Sequence, residues 1–255
     1  MRDLLTPALD ALPADVQVFV RDDDAGWEDA RLLALLDVTR HAGVPIDLAA
    51  IPAAIGPELA AELRARIDAA PALVAVHQHG FAHANHELAG RKSEFGAARS
   101  AAALRADIEQ GRALLAGWLG GRVQPWFTPP WNRCSAAAPR VLAGLGFQAL
   151  SRDRGAQPAQ AALAELPVDV DWSRRWREGG AAAVATALVQ ALRARATDGA
   201  PLGLMLHHGA MAREELDCLA ELLGAAARHP RLHWRGMRAL LPSSLPDEPS
   251  CARAA

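Results

Sequence analysis

The sequence alternates between short apolar runs and longer amphipathic stretches, and this alternation constrains the fold more than any other feature of the chain. The apolar runs are predicted strands at residues 16–20, 46–50, 72–76, 123–127, 147–150, 165–170 and 202–206, with a weaker one at 232–235. The stretches between them have helical periodicity, near residues 29–42, 57–70, 97–119, 135–144, 181–196 and 212–228. Repeated strand–helix units of this kind build a parallel sheet covered by helices. The sequence therefore predicts an α/β fold.

Length and charge narrow the class of protein further. A chain of 255 residues is long for one domain but ordinary for an α/β barrel, so residues 1–241 are predicted to form a single domain and residues 242–255 a disordered tail. The formal net charge of −2 provides no general attraction to nucleic acid, and no stretch is apolar enough to span a membrane. The first residues lack the apolar core of a secretory signal, which predicts a cytoplasmic protein. The oligomeric state is left open.

Polar side chains cluster directly after, or at the end of, five of the predicted strands. These clusters are DDDAG at 22–26, HQHGFAHANH at 77–86, TPPWNR at 128–133, DVDW at 169–172 and HHG at 207–209. The carboxyl ends of parallel strands share one face of an α/β fold, and that face carries the active site. We therefore expect the five clusters to converge.

Two histidines in the second cluster are candidate metal ligands. His79 and His83 are four residues apart, a spacing that puts two imidazoles on one face of a helical turn, where both can bind one cation. This pattern has many chance matches, and a solvated histidine-rich loop is the alternative interpretation. His77 is expected to point away from the pair, and His86 to support the ligands or lie on the surface.

The three cysteines are widely spaced and form no CxxC pair, which argues against a metal site built from cysteine thiolates.

Three successive aspartates, Asp22, Asp23 and Asp24, end the first strand. Their mutual repulsion calls for a nearby cation or arginine. One carboxylate beside two histidines would leave open positions for water and substrate, as in catalytic metal sites. A second carboxylate, not bound to the metal, can act as a general base. Helix-capping acids, such as Asp29, are the alternative interpretation of this segment.

The order and content of the clusters resemble the motifs of the polysaccharide deacetylase superfamily, carbohydrate esterase family 4, from about Val16 to His208. Arg21-Asp22-Asp23-Asp24 resembles the first motif, which implies Asp23 as general base and Asp24 as metal ligand. A shift of one residue would give these roles to Asp22 and Asp23. His79-Gly80-Phe81-Ala82-His83 resembles the second motif, H[ST]xxH, which implies both histidines as metal ligands.

The third motif departs from the family pattern at one position. Thr128-Pro129-Pro130-Trp131 resembles it, but Thr128 stands where the family has an arginine that orients the catalytic aspartate. Arg21 and Arg133 are the candidates to replace that arginine. Taken alone, the Pro-Pro-Trp sequence could also be a rigid turn with an aromatic plug.

The last two motifs supply the remaining candidates. Asp169-Val170-Asp171-Trp172 resembles the fourth motif, whose tryptophan lines the acetyl pocket, although an Asp-Trp pair is common on protein surfaces. Leu204-Met205-Leu206-His207 resembles the fifth, which implies His207 as general acid with His208 as the alternative. The implied substrate-binding residues are Pro130, Trp131, Arg133, Asp171 and Trp172.

The resemblance implies a distorted, TIM-like (β/α)7 barrel. It also implies a hydrolase that removes an N- or O-linked acetyl group from a carbohydrate or sugar-containing precursor through a metal-activated water. One divalent cation is expected, Zn²⁺ first, with Co²⁺, Ni²⁺ and Mn²⁺ as alternatives. The expected partner is an acetylated sugar or small molecule. Two other functions stay open: hydrolysis of another non-peptide C–N bond on the same barrel, and a degenerate carbohydrate-binding or regulatory barrel.

Overall fold

The structure, a computed structural model, describes residues 2–242, with side chains from Leu5 onward, and is built around one parallel sheet. The strands of this part of the chain are β1 (Val16–Ala25), β2 (Ile46–Ala50), β3 (Val74–His79), β4 (Val123–Thr128), β5 (Ala149–Leu150), β6 (Ala164–Glu165), β7 (Val170–Asp171), β8 (Leu202–Leu206) and β9 (Leu232–Trp234). The helices are α1 (Arg2–Asp10), α2 (Asp29–Ala42), α3 (Pro57–Ala69), α4 (Ala101–Leu119), α5 (Ala137–Gly144), α6 (Trp172–Asp198) and α7 (Arg213–Ala226).

The strand order of the sheet is β6-β5-β4-β3-β2-β1-β8-β7, with β9 paired to the first residues of β1. All of these pairings are parallel, and the two end strands β6 and β7 are not paired with each other. The sheet therefore curls around a core without closing. This confirms the expected α/β fold of the distorted barrel type.

The central strands are buried on both faces, as expected for a parallel sheet covered by helices. β2 and β8 are buried at every residue, and both have the bounds that the sequence predicted. The main hydrophobic cluster packs the apolar sides of β1, β2 and β8 against α2, α3, α6 and α7. Buried polar side chains lie at the ends of β1, β3 and β4, and this is where the candidate site is found.

Two helices differ from the sequence prediction. α1 was not predicted, because it is short and contains Pro7, yet Leu5 and Leu9 are buried in the main cluster. α6 begins at Trp172, well before the predicted start at 181, and it bends at Gly180, where φ is 61°. That bend interrupts the helical periodicity, which explains why only the second part was recognised.

No helix among residues 2–242 is both long and apolar enough to cross a membrane. The predicted disordered tail at 242–255 lies outside the described residues, apart from Pro242.

Candidate active site

Most of the predicted site residues lie together at the edge of the sheet where the carboxyl ends of the strands meet. Ligand atoms of Asp24, His79 and His83 all lie within 4.8 Å of one another. His207 and Asp171 line the same cleft, of about 800 Å³, as Asp24. Residues from β1 and from the ends of β3, β7 and β8 therefore contribute to one site.

The three successive aspartates have three different partners. Asp22 contacts His208, Asp23 contacts Arg21, and Asp24 contacts the two candidate ligand histidines. The pairing register between β1 and β2 shifts between Asp22 and Ala25, and Asp24 has a φ of 70°. This irregularity turns adjacent carboxylates in different directions, so their repulsion is relieved by separate cationic groups.

Asp24 is placed as a metal ligand would be. Its Oδ1 lies 3.2 Å from Nε2 of His79 and 3.3 Å from Nε2 of His83. Two ligand atoms that are each about 2.0–2.1 Å from a tetrahedral zinc ion lie about 3.3–3.4 Å apart. The same Oδ1 is buried and accepts no hydrogen bond within residues 2–242. The donor set, its spacing and this unpartnered oxygen all fit one divalent cation.

Charge keeps Asp24 ionised. Burial alone would raise the pKa of Asp24, but its close contact with His79 and the charges of His79, His207 and His83 lower it to about 2. Burial, with the charge of His79, lowers the pKa of His83, so this imidazole is neutral at neutral pH. An ionised carboxylate and a neutral imidazole are the forms that bind a divalent cation.

Thr128 fixes the orientation of both buried histidines of β3. Nδ1 of His79 lies 2.9 Å from the carbonyl oxygen of Thr128, and because a carbonyl only accepts, Nδ1 donates this bond and Nε2 is the nitrogen that faces Asp24. Nε2 of His77 lies 2.8 Å from the Thr128 hydroxyl. His77 was predicted to point away from His79, which is wrong: residues two apart on a strand share a face. Burial, with the nearby charge of Arg21, lowers the pKa of His77 to about 3.

His79 and His83 do not lie in a helical turn, as the sequence predicted. His79 ends β3, and His83 lies in the following loop with a φ of 55°. The chain reverses at Gly80, where φ is 57° and an added Cβ would lie 2.1 Å from Glu94 and 2.6 Å from Pro130. Only glycine fits there. The two imidazoles converge because of this tight turn.

Glu94 holds that turn in place, and sequence reasoning missed it. The carboxylate of Glu94 is fully buried and accepts backbone N–H bonds from Phe81 (3.1 Å), Ala82 (2.8 Å) and Ala84 (3.3 Å). These three residues surround His83, so Glu94 fixes the backbone that carries this ligand. Nothing in the sequence pattern identifies it, because it lies in an irregular loop after the histidine cluster.

Arg21 is the arginine that holds Asp23. Nε of Arg21 donates to one carboxylate oxygen of Asp23 at 2.7 Å and an Nη donates to the other at 2.9 Å. Ser151 and Asn132 accept further bonds from the same guanidinium, each at 2.7 Å. Burial alone would raise the pKa of Asp23, but the charge of Arg21, with those of His79 and His207, lowers it. Asp23 is therefore an oriented carboxylate that lies outside the group of candidate cation ligands. Arg133, the other candidate, donates to the carbonyl oxygen of Lys92 instead.

The adjacent residues His207 and His208 differ in burial and in hydrogen-bond partners. His208 is buried: Nδ1 donates to Asp22 at 2.6 Å and Nε2 donates to the Trp27 carbonyl at 2.7 Å. Burial alone would lower the pKa of His208, but the charge of Asp22 and their hydrogen bond raise it to about 9. His207 is partly exposed in the cleft, and its Nδ1 has no hydrogen-bond partner in the described part of the chain. Asp22 and His208 form a structural ion pair, and His207 faces the open site.

Two tryptophans flank the imidazole of His83. The Trp131 ring centroid lies 4.4 Å from that of His83, and Trp27 contacts it edge-on at 4.9 Å. Trp27 was not among the sequence candidates. Pro130 is buried and its ring lies against Gly80, so it shapes the turn.

The fourth cluster is only partly at the site. Asp171 lines the cleft and caps α6 by accepting a bond from the Arg174 N–H at 3.0 Å. Trp172 was expected to line an acetyl pocket, but it is fully buried in the main hydrophobic cluster and stacks against Trp176. As the first residue of a helix that packs on the sheet, its side chain is directed into the core.

No protein-family model matches the sequence, and no curated protein is significantly similar to it. Solved structures with the same fold are found. A putative polysaccharide deacetylase from Mycobacterium smegmatis has 16% identity and a TM-score of 0.67, with 89% of each chain covered. A family 4 carbohydrate esterase from Streptomyces lividans, in complex with acetate, has 19% identity and a TM-score of 0.56, with 88% of this chain and 92% of that chain covered.

The same fold is also found in a pseudoenzyme. BA3943 from Bacillus anthracis, described as a CE4 family pseudoenzyme, has 11% identity and a TM-score of 0.57, with 91% of this chain and 66% of that chain covered. These identities are low, so the comparisons establish the fold, and the activity has to be argued from the residues of the site. The chain has the fold of the polysaccharide deacetylases and family 4 carbohydrate esterases.

Proposed function

We propose that the protein is a metal-dependent hydrolase that removes an acetyl group from a carbohydrate or a sugar-containing precursor. The observation that carries this proposal is the arrangement around Asp24: a buried, unpartnered carboxylate oxygen faces two imidazole nitrogens at 3.2 and 3.3 Å, beside a second carboxylate that binds no histidine. The likeness in fold to family 4 carbohydrate esterases and deacetylases agrees with it.

Asp24, His79 and His83 would hold the cation. A divalent cation in this position, zinc first, supplies Lewis-acid polarisation of the acetyl carbonyl and makes a nearby water easier to deprotonate. The family resemblance and this donor set both support the assignment.

Asp23 is the general base in this proposal. Its carboxylate is ionised and fixed by Arg21, so one of its oxygens can accept the proton of the water that attacks the acetyl carbonyl. Because the guanidinium bonds both oxygens, the carboxylate cannot rotate away during the reaction. Met205 and Asn132, which also contact the guanidinium, hold the arginine itself in place.

His207 is the proton donor to the leaving amine or alkoxide. It lines the cleft with Asp24 and makes no ion pair within residues 2–242, so it is placed to donate a proton to a group that leaves from this cleft. Trp27 and Trp131, which flank His83, provide apolar surface beside the reacting group.

An acetate-release assay with acetylated sugars tests the proposal. Zinc-loaded protein is expected to release acetate, a chelator to abolish the release, and added Zn²⁺ or Co²⁺ to restore it. Ammonia release in the same reactions would identify a different C–N hydrolase, and sugar binding without either product at full metal occupancy would identify a binding barrel. Acetate release that resists the chelator would contradict a metal mechanism.

The pseudoenzyme alternative is less well supported than catalysis. A pure binding module has no need for a buried arginine that fixes a carboxylate beside a three-residue cation site. The cytoplasmic location stays a prediction from the sequence.

A further inference from the structure

One wall of the cleft carries a positively charged side chain that has no partner among the described residues. Arg177 lines the cleft of about 800 Å³ together with Asp24 and His207, and it makes no ion pair or hydrogen bond within residues 2–242. The two neighbouring arginines behave differently: Arg174 and Arg175 both bind Glu178, at 2.9 and 2.8 Å. Arg177 is thus the one arginine of this turn of α6 whose charge is available to a molecule in the cleft.

A buried hydroxyl lies on the same helix face. Ser173 precedes Arg177 by one helical turn, and residues four apart project from the same side of a helix. Ser173 is only 4% exposed, it lines the same cleft, and its Oγ has no hydrogen-bond partner in the described part of the chain. A buried hydroxyl without a partner costs free energy, so a ligand atom that accepts its bond would stabilise the complex.

The acids of the cleft do not neutralise this arginine. Glu28 lies 3.7 Å from Arg31, and Asp171 accepts the N–H of Arg174. Asp24 faces the two histidines of the cation site. Each carboxylate that lines the cleft therefore has its own partner, and none of them is bonded to Arg177.

We propose that Arg177 and Ser173 form a subsite for an anionic group, a phosphate or a carboxylate, on the substrate whose acetyl group is removed. This rests on the proposed function and specifies its substrate class: an acidic acetylated sugar or precursor. Arg177 provides a charged donor and Ser173 a neutral one, the combination that binds the oxygens of such groups. The cleft is large enough to hold both this group and an acetylated sugar ring.

The test compares three acetylated amino sugars with the zinc-loaded full chain. N-acetylglucosamine is neutral, N-acetylglucosamine 1-phosphate adds a phosphate, and N-acetylmuramic acid adds a carboxylate. We expect kcat/KM for acetate release to be at least about tenfold higher for one of the two anions, and the better one identifies the group. The preference should weaken as salt is added, since ions screen an exposed arginine.

Variants of α6 assign the preference to this subsite. R177Q is expected to remove most of the tenfold preference and S173A part of it. R174Q is the matched control, because Arg174 lies on the same turn but is paired with Glu178, and it should keep the full preference. Equal kcat/KM values for neutral and anionic sugars in the wild type, or an unchanged preference in R177Q, would overturn the proposal.

Failure of the subsite can be told apart from failure of the proposed function. If no sugar releases acetate, the deacetylase function fails, and calorimetry still tests the subsite with N-acetylglucosamine 1-phosphate and the zinc-loaded protein. Binding that is about tenfold weaker in R177Q than in wild type supports it. Equal binding by the two proteins, or no binding by either, overturns it.

Discussion

Arg21 and Asp23 lie on one face of β1, and the guanidinium of Arg21 bonds both carboxylate oxygens of Asp23, at 2.7 and 2.9 Å. Side chains two residues apart on a strand point the same way, so the pair needs no contribution from a loop. The polysaccharide deacetylases, which this sequence resembles, place the orienting arginine in the third motif, where this chain has Thr128. In this chain Arg21, from the first motif, is the arginine that bonds Asp23, and Thr128 bonds two histidines instead.

Replacing Arg21 should damage both activity and stability. In R21M the carboxylate of Asp23 stays buried without its partner, which costs about 3–5 kcal/mol in the free energy of unfolding. A misoriented base should also lower kcat for acetate release about 100-fold. The double variant R21M/D23N is expected to regain much of the stability but no activity. Urea unfolding and acetate-release rates measure the two effects, and a kcat within about threefold of wild type in R21M would contradict the role of Arg21.

Glu94 should control metal affinity without contacting the metal. E94Q keeps the size of the side chain but lowers its strength as an acceptor for three backbone N–H groups around His83. We expect the zinc dissociation constant to rise about 10- to 100-fold, the usual effect of losing such a supporting contact. E87Q is the matched control, because Glu87 lies in the same loop and its carboxylate accepts a bond from the Ala98 N–H, away from His83. A competitive chelator titration measures the constant, and equal values for E94Q and E87Q would refute the prediction.

The adjacent histidines should separate into a catalytic and a structural residue. H207A is expected to lower kcat about 10²- to 10⁴-fold, with a Tm near that of wild type. H208A leaves Asp22 buried without its partner and should lower the free energy of unfolding by about 3–5 kcal/mol. The opposite pattern, with H207A unstable and H208A stable but inactive, would reverse the assignment.

The His208 pair also predicts a pH dependence of stability. Because the pKa of His208 is raised to about 9 from its ordinary value of 6.5, the stabilisation is complete below pH 6.5 and is lost as the pH rises through 9. The stability difference between wild type and H208A should therefore shrink between pH 7 and pH 9.5. Paired urea titrations at these pH values check it, and a difference that stays constant would show that His208 is not charged in the folded protein.

A second pH effect is expected at the opposite end of the barrel, at Asp47 in β2. Burial raises the pKa of Asp47 to about 7, although a bond from the Met237 N–H opposes the shift. The unfolded chain loses this proton near pH 4 and the folded protein near pH 7, so Asp47 destabilises the fold progressively as the pH rises from 4 to 7. D47N should gain on the order of 1–3 kcal/mol relative to wild type between pH 4 and pH 8. An unchanged difference across this range would contradict the shift.

Most of the strands could be predicted from their apolar runs, but the predicted strand at 165–170 is replaced by two short strands, β6 and β7, at the two ends of the sheet. β2 and β8 are buried on both faces, and their limits are those of the apolar segments. The convergence of strand-end clusters followed from the rule that parallel strands share a carboxyl end. α1 and the first part of α6 were missed because Pro7 and Gly180 interrupt the periodicity.

The site was less predictable than the fold, because its geometry depends on a tight turn and a register shift that leave no periodic pattern in the sequence. The meeting of His79 and His83 was anticipated, but a glycine turn held by Glu94 produces it, not a helix. The roles within the three aspartates depend on a register shift in β1, which no local pattern reveals. Trp172 could not be assigned to the core or to the cleft until the start of α6 was known.

The most direct test of the account measures bound metal and acetate release together in wild type, D23N and H79A. We predict about one zinc per chain and turnover in wild type, the same metal content without turnover in D23N, and loss of both in H79A. D23N that keeps full activity, or H79A that keeps its zinc, would contradict the assignment of Asp23 as base and His79 as ligand.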